Sequence, residues 1–339
     1  MMSIVADHSF NVGDYIFKAY TASFWVYGIN IQLAKFGTVS FFLLAGFLLG
    51  DKFAEYTPGQ YLGRRFKNTF RPWIIWSLIF LLAIMAKSAV MAFHIYHDPF
   101  NFWTTLLSAL KIVYLYSNYW FIINFLICIG ILLMFKRRLY SWKLGAALLT
   151  CTLFYCVNVY FEWIEPIHTT ALFGFVFFLW LGAQLHKNWE VVERKIRATP
   201  YLVFIGFFIL SLALSIAEAR LLLERNSIEP YNTLRFTNLL YSLAVFALLV
   251  KIRDFNLIAY FKPRETTFGI YLIHYIIIYN ILPEILIHMN LVNAENMSVA
   301  GIFMYQYGRF IIAYVVALFI VKGINLTRFK WIIGNTAKS

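Results

Sequence analysis

Charge is scarce in this chain, and acidic charge scarcest of all: 13% of the 339 residues are charged, with 29 Lys and Arg against 16 Asp and Glu. Three cysteines, Cys128, Cys151 and Cys156, offer neither a disulfide framework nor the spacing of a metal site, and they read as small packing residues. There is no G-x-S-x-G elbow, no phosphate-binding P-loop and no dinucleotide-binding glycine pattern. These absences remove the common soluble hydrolase, nucleotidase and dehydrogenase readings. Strands of alternating polarity are missing too, which excludes a transmembrane barrel.

Apolar sequence fills the space. The chain is 61% hydrophobic and 20% aromatic, with a mean hydropathy of +0.70. Its apolar runs of about 15 to 22 residues match the ~20 that cross a bilayer as helix. Backbone amides in lipid must be satisfied within their own segment, so the expected fold class is all-α, a polytopic transmembrane helical bundle. One integral-membrane domain is expected over 1–339. Spans are placed near 34–50, 72–93, 119–135, 144–161, 169–186, 199–218, 236–250, 267–285 and 300–321. Residues 9–33 have no run long enough to cross and are expected outside. Phe100 to Tyr116 is expected to lie along the interface as an amphipathic segment around Lys111.

The net charge of +13 raises the question of nucleic acid, and the distribution of charge answers it. With 51–71 placed on the cytoplasmic side, the loops on that side hold 21 Lys and Arg. The opposite side holds six: Lys18, Lys35, Lys111, Arg220, Arg225 and Arg235. The positive-inside rule accounts for that asymmetry, so no nucleic-acid partner is expected. Within 51–71, Lys52, Arg64, Arg65, Lys67 and Arg71 serve as orientation charges, as a site for a phosphorylated ligand, or as both.

Three stretches have a collective likeness. FFLLAGFLL, an Arg pair and PWIIWS fall between residues 41 and 77; SNYWFIINFL follows at 117–126 and TFGIYLIH at 267–274, with FGFVFFLWLGAQL at 173–185. Their order resembles the integral-membrane acyltransferase 3 family over nearly the whole chain. In that family the first span carries an Arg, ten residues and then a His that is the presumed catalytic residue. His8 stands in the place of that His, and the matching Arg would fall before Met1. The bundle is therefore expected to have about ten spans with the first truncated, through a wrong start or a true truncation. A stub of ~10 Å would leave His8 on a frayed end. The His-x4-Asp box of soluble acyltransferases is missing, since Asp14 is one residue too far from His8.

The resemblance implies an acyl-coenzyme A site at the family's Arg-x-x-Arg element, which here falls on Arg64, Arg65, Lys67 and Arg71. The chain departs from it, because Asn68 follows Arg65 by three residues. Ala45-Gly46 also replaces the usual Ser-Gly. Trp120 and Asn124 share a helix face and are either site-lining or, for Trp120, an interfacial anchor. Tyr271 and His274 sit three apart in an apolar helix, where His274 is a packing residue or part of the site. Arg309 either lines the site or extends to the outer interface. His94 and His97 share a spacing that metal ligands use, but no third ligand is obvious and no metal is expected.

By this resemblance the chain is an O-acetyltransferase-like enzyme, transferring groups other than aminoacyl groups, of a bacterial inner membrane. Acyl-coenzyme A, most simply acetyl-CoA, is the donor and no tightly bound cofactor is implied. A hydroxyl of a cell-surface glycan or glycolipid precursor is the acceptor, and membrane lipid surrounds the bundle. The rivals are a polytopic transporter or flippase for a glycan or lipid, and an inactive truncated acyltransferase.

Overall fold

The computed structural model describes residues 1–11, 21–96, 99–253, 260–288 and 297–335. His97, Asp14 and Lys18 lie outside the described residues. Every regular element among the described residues is helical. Among the described residues, six helical segments are long and apolar enough to cross a membrane, or seven with a bent pair counted as one span. Leu82, Ile209, Leu210 and Phe319 are each more than half exposed, as lipid-facing residues are.

Several boundaries differ from those expected. Residues 22–34 form helix Ala22–Ala34, which leads into Gly37–Glu55, and together Ala22–Gly50 is a 29-residue candidate span. The basic stretch is largely helical as well: Gly37–Glu55 runs through Lys52, and Pro58–Arg65 carries the Arg pair. Phe102–Lys111 continues through a π-helical turn, Ile112–Tyr116, and meets Trp120–Met134 at 52°. By length and apolarity that bent pair has the form of a broken span or a re-entrant loop.

The expected 169–186 span begins late. Its helix is Val176–Lys187, 12 residues or about 18 Å, against a hydrocarbon core of about 30 Å. The irregular backbone before it is satisfied by side chains: Tyr155 donates to Thr170 O (2.8 Å), Thr152 to Gly174 O (2.9 Å) and Asn124 to Ala171 O (3.4 Å). Non-helical backbone survives in a membrane protein where protein groups replace the missing ladder in this way.

The chain divides into two compact units. The first comprises 1–27, 64–122 and 258–339, and the second 28–63 and 123–257. In the second, a Cβ on Gly46 would meet Leu179 O at 2.0 Å, and one on Gly182 would meet Leu43 O at 2.1 Å. Gly37–Glu55 and Val176–Lys187 therefore touch backbone to backbone, the close packing that small residues permit between membrane helices. In the first unit, Met2–Phe10 packs on Val299–Asn325 and Pro263–Ile276, and the latter also on Arg71–Val90. Four π-helical turns, Phe66–Phe70, Met91–Tyr96, Ile112–Tyr116 and Ile277–Ile281, all belong to this unit.

Arg235 is a further correction. Counted from sequence among the loop charges of the opposite side, it is 0% exposed within the second unit.

Candidate active site

Met2–Phe10 is a short apolar helix with His8 in its last turn. Gln306 holds that end: its Nε2 donates to Phe10 O at 3.1 Å and to Tyr27 O at 3.5 Å, satisfying a terminal carbonyl that the helix cannot. Phe10 itself is buried, its ring 4.9 Å from Tyr307. His8 is thus half-buried on an anchored helix, not on a frayed end. Its ring lies 5.6 Å from that of His274 and meets Tyr275 edge-on at 5.1 Å.

His274 is fully buried, and its Nδ1 is 2.9 Å from Ile270 O. A carbonyl only accepts, so the neutral ring carries its proton on Nδ1 and leaves the Nε2 lone pair open. Nε2 has no partner among the described residues. A buried imidazole with one nitrogen fixed by backbone and the other vacant is equipped to accept a proton or to hold a hydroxyl.

The helix bearing His274 is pinned by the bend at 117–119. Asn118 Nδ2 donates to Tyr271 O (2.9 Å), Tyr119 OH to Leu272 O (2.6 Å), and Tyr271 OH back to Asn118 O. The π turn Ile277–Ile281 follows directly, and such turns are frequent at functional sites. Tyr271 lies 6.1 Å from His274 and 5.7 Å from Phe121, whose ring is in turn 5.7 Å from Trp120. Trp120 is buried in this aromatic run.

Arg309 is also buried, its NH1 3.3 Å from Tyr305 OH and its Nε without a partner among the described residues. It does not reach the surface of the protein. On the basic stretch, Arg64, Lys67 and Arg71 are exposed and Arg65 is half-buried. Arg71 stands 4.2 Å over the Trp331 ring. Asn124 falls in the second unit, where it bonds Ala171 O and accepts from Cys128. Lys52 is in the second unit too, whereas His8, Arg64, Arg65, Lys67, Arg71, Trp120, Tyr271, His274 and Arg309 fall in the first. His94 is exposed on the Met91–Tyr96 π turn.

Tyr275 and Asn118 belong to this arrangement and were not singled out from sequence. A signal for Asn118 existed, since Ser117-Asn118-Tyr119 is a polar break between two apolar runs. Tyr275 carried none, being one more aromatic in an apolar helix.

A family model described as an acyltransferase domain matches residues 1–324. No curated protein and no solved structure matches the chain. With that match covering nearly its whole length, the chain belongs to the acyltransferase 3 family and is a membrane acyltransferase.

Proposed function

We propose that this enzyme is an O-acyltransferase of a bacterial inner membrane. It takes an acyl group, acetyl in the simplest case, from acyl-coenzyme A at the cytoplasmic face and passes it to a hydroxyl of a cell-surface glycan or lipid-linked precursor. The observation that carries this reading is the imidazole pair, His8 against His274 at 5.6 Å with His274 Nε2 open.

In the proposed reaction His8 takes the proton of the acceptor hydroxyl as its oxygen attacks the thioester carbonyl carbon. His274 Nε2 accepts a hydrogen bond that orients the pair. The tetrahedral intermediate collapses with cleavage of the C–S bond, and the proton passes from the imidazolium to the departing thiolate. The buried guanidinium of Arg309, in the same unit, steadies the oxyanion. Arg64, Arg65, Lys67 and Arg71 hold the donor's phosphates by charge-assisted hydrogen bonds. Acyl-coenzyme A is a substrate here, not a resident cofactor.

The test is transfer of radiolabelled acetyl from acetyl-CoA to glycan in inner-membrane vesicles. His8→Ala is expected to slow transfer by about 10²–10⁴-fold, the usual contribution of a general base. Transfer retained within threefold of wild type would remove His8 from the chemistry.

A further inference from the structure

The family match ends at residue 324, yet the chain continues into an ordered turn that packs against the basic stretch. Residues Lys330–Ile333 form one 3₁₀ turn whose Ile333 is 1% exposed. Trp76 Nε1 donates to Ile332 O at 3.0 Å. Gly334 has φ +79°, and a Cβ there would lie 2.5 Å from the Phe268 ring and 3.0 Å from Asn68 O. Asn335 Nδ2 bonds Glu265 O (2.7 Å) and Asn325 Oδ1 (2.6 Å), tying the turn to the helices on either side. The segment is therefore held by buried contacts and backbone hydrogen bonds, all within the first unit.

Two observations give this turn a chemical meaning. Its Gly334 leaves no room for a Cβ beside Asn68 O, at the position where the resemblance calls for a second arginine and this chain has none. It also sets the half-buried Trp331 ring beneath the exposed guanidinium of Arg71, 4.2 Å from the ring centroid. An indole flanked by Arg71 and preceded along the chain by the cations Arg328 and Lys330 has the parts needed for a phosphorylated nucleotide. A flat base stacks on the indole, and the guanidinium pairs with phosphate.

We propose that the turn 328–335 completes the donor site, with Trp331 stacking the adenine of acyl-coenzyme A and Arg71 binding its phosphates in the place of the missing arginine at 68. This rests on the acyl-coenzyme A reading above and adds a second binding surface beyond the residues that the family match covers. Trp331 acts on affinity for the nucleotide and not on the transfer step, because the thioester lies at the other end of the donor.

The experiment compares acetyl-CoA with acetyl-pantetheine, which has the same thioester and neither phosphates nor adenosine. In vesicles, Trp331→Ala is expected to raise the KM ratio of acetyl-CoA to acetyl-pantetheine at least tenfold, with Trp331→Phe restoring most of it. Arg71→Gln is expected to shift the ratio in the same direction. A ratio unchanged in Trp331→Ala overturns the proposal. A second measurement does not require turnover: adenosine 3′,5′-bisphosphate binding to purified protein, by calorimetry. Binding to wild type that weakens tenfold or more in Trp331→Ala supports the site even if the transfer reaction fails, whereas no binding to wild type overturns the site.

Discussion

Each unit buries an arginine, Arg235 in the second and Arg309 in the first, and the two guanidiniums are matched in opposite ways. In the second, Arg235 is sealed from solvent and each arm of its guanidinium is matched: Nε to Asn232 O at 3.1 Å, NH1 to Ser215 O at 2.8 Å, and NH2 to Gln32 Oε1. Gln32 then donates to Asn238 (2.8 Å), and Asn238 to Thr233 O (2.8 Å). Glu218 accepts from the Thr237 amide at 3.0 Å, the Thr237 hydroxyl and Tyr160. In the first unit, His274 Nε2, Arg309 Nε and Asn118 Oδ1 are buried without partners among the described residues. Buried polar groups are expensive unless paired, so the filled Arg235 network reads as a staple; hydroxyls such as Ser40 and Ser242 are left open in the second unit too, and what sets the first apart is a buried guanidinium, Arg309, with an unmatched nitrogen. The π turns, which sit only in the first unit among the described residues, point the same way.

That contrast breaks if the wrong unit loses activity. The largest effect expected is on turnover. His274→Gln should lower transfer by about 10²-fold, the scale of a misplaced catalytic group, because it removes the group that orients His8, with the unfolding temperature in detergent unchanged within error. A parallel fall in stability and activity would make His274 a packing residue.

Arg235→Met should act the other way round. It strands Ser215 O, Asn232 O and Gln32 Oε1, at about 1–3 kcal/mol for each buried group left unmatched. Thermal unfolding in detergent should show the loss, with yield falling before the specific activity of the surviving protein. Full stability in that variant would contradict the staple.

Tyr271→Phe removes one hydrogen bond, to Asn118 O, and should cost about 0.5–1.5 kcal/mol by the same unfolding assay. It sharpens the comparison if KM for the acceptor also rises, since the bend at 117–119 would then position the His274 helix. The smallest effect belongs to Lys87–Glu284, a 2.7 Å bridge with both side chains substantially exposed. Lys87→Gln should change stability by less than about 1 kcal/mol. A larger loss would show that surface pairing also holds the first unit together.

How much of this was legible in the sequence follows from which forces are local. Lipid demands helices, so the apolar runs and the all-α bundle could be read directly. The late start of Val176–Lys187 could not, because it depends on Tyr155, Thr152 and Asn124 reaching carbonyls 15 to 47 residues away. Arg235 looked like a loop charge since its partners Gln32 and Ser215 are 203 and 20 residues distant. His8 was singled out through a family likeness, and no periodicity could have paired it with His274. The resemblance supplied the imidazole; the fold supplied its neighbour.

The most direct test of the central claim is a double-mutant cycle on that pair. Vesicle transfer from acetyl-CoA is measured for wild type, His8→Ala, His274→Gln and the double variant. Groups that act as one unit are strongly non-additive, so the double variant should be no slower than the worse single variant, within about threefold. Losses that multiply, with the double variant slower by the product of the two single effects, would contradict a shared role for the two imidazoles.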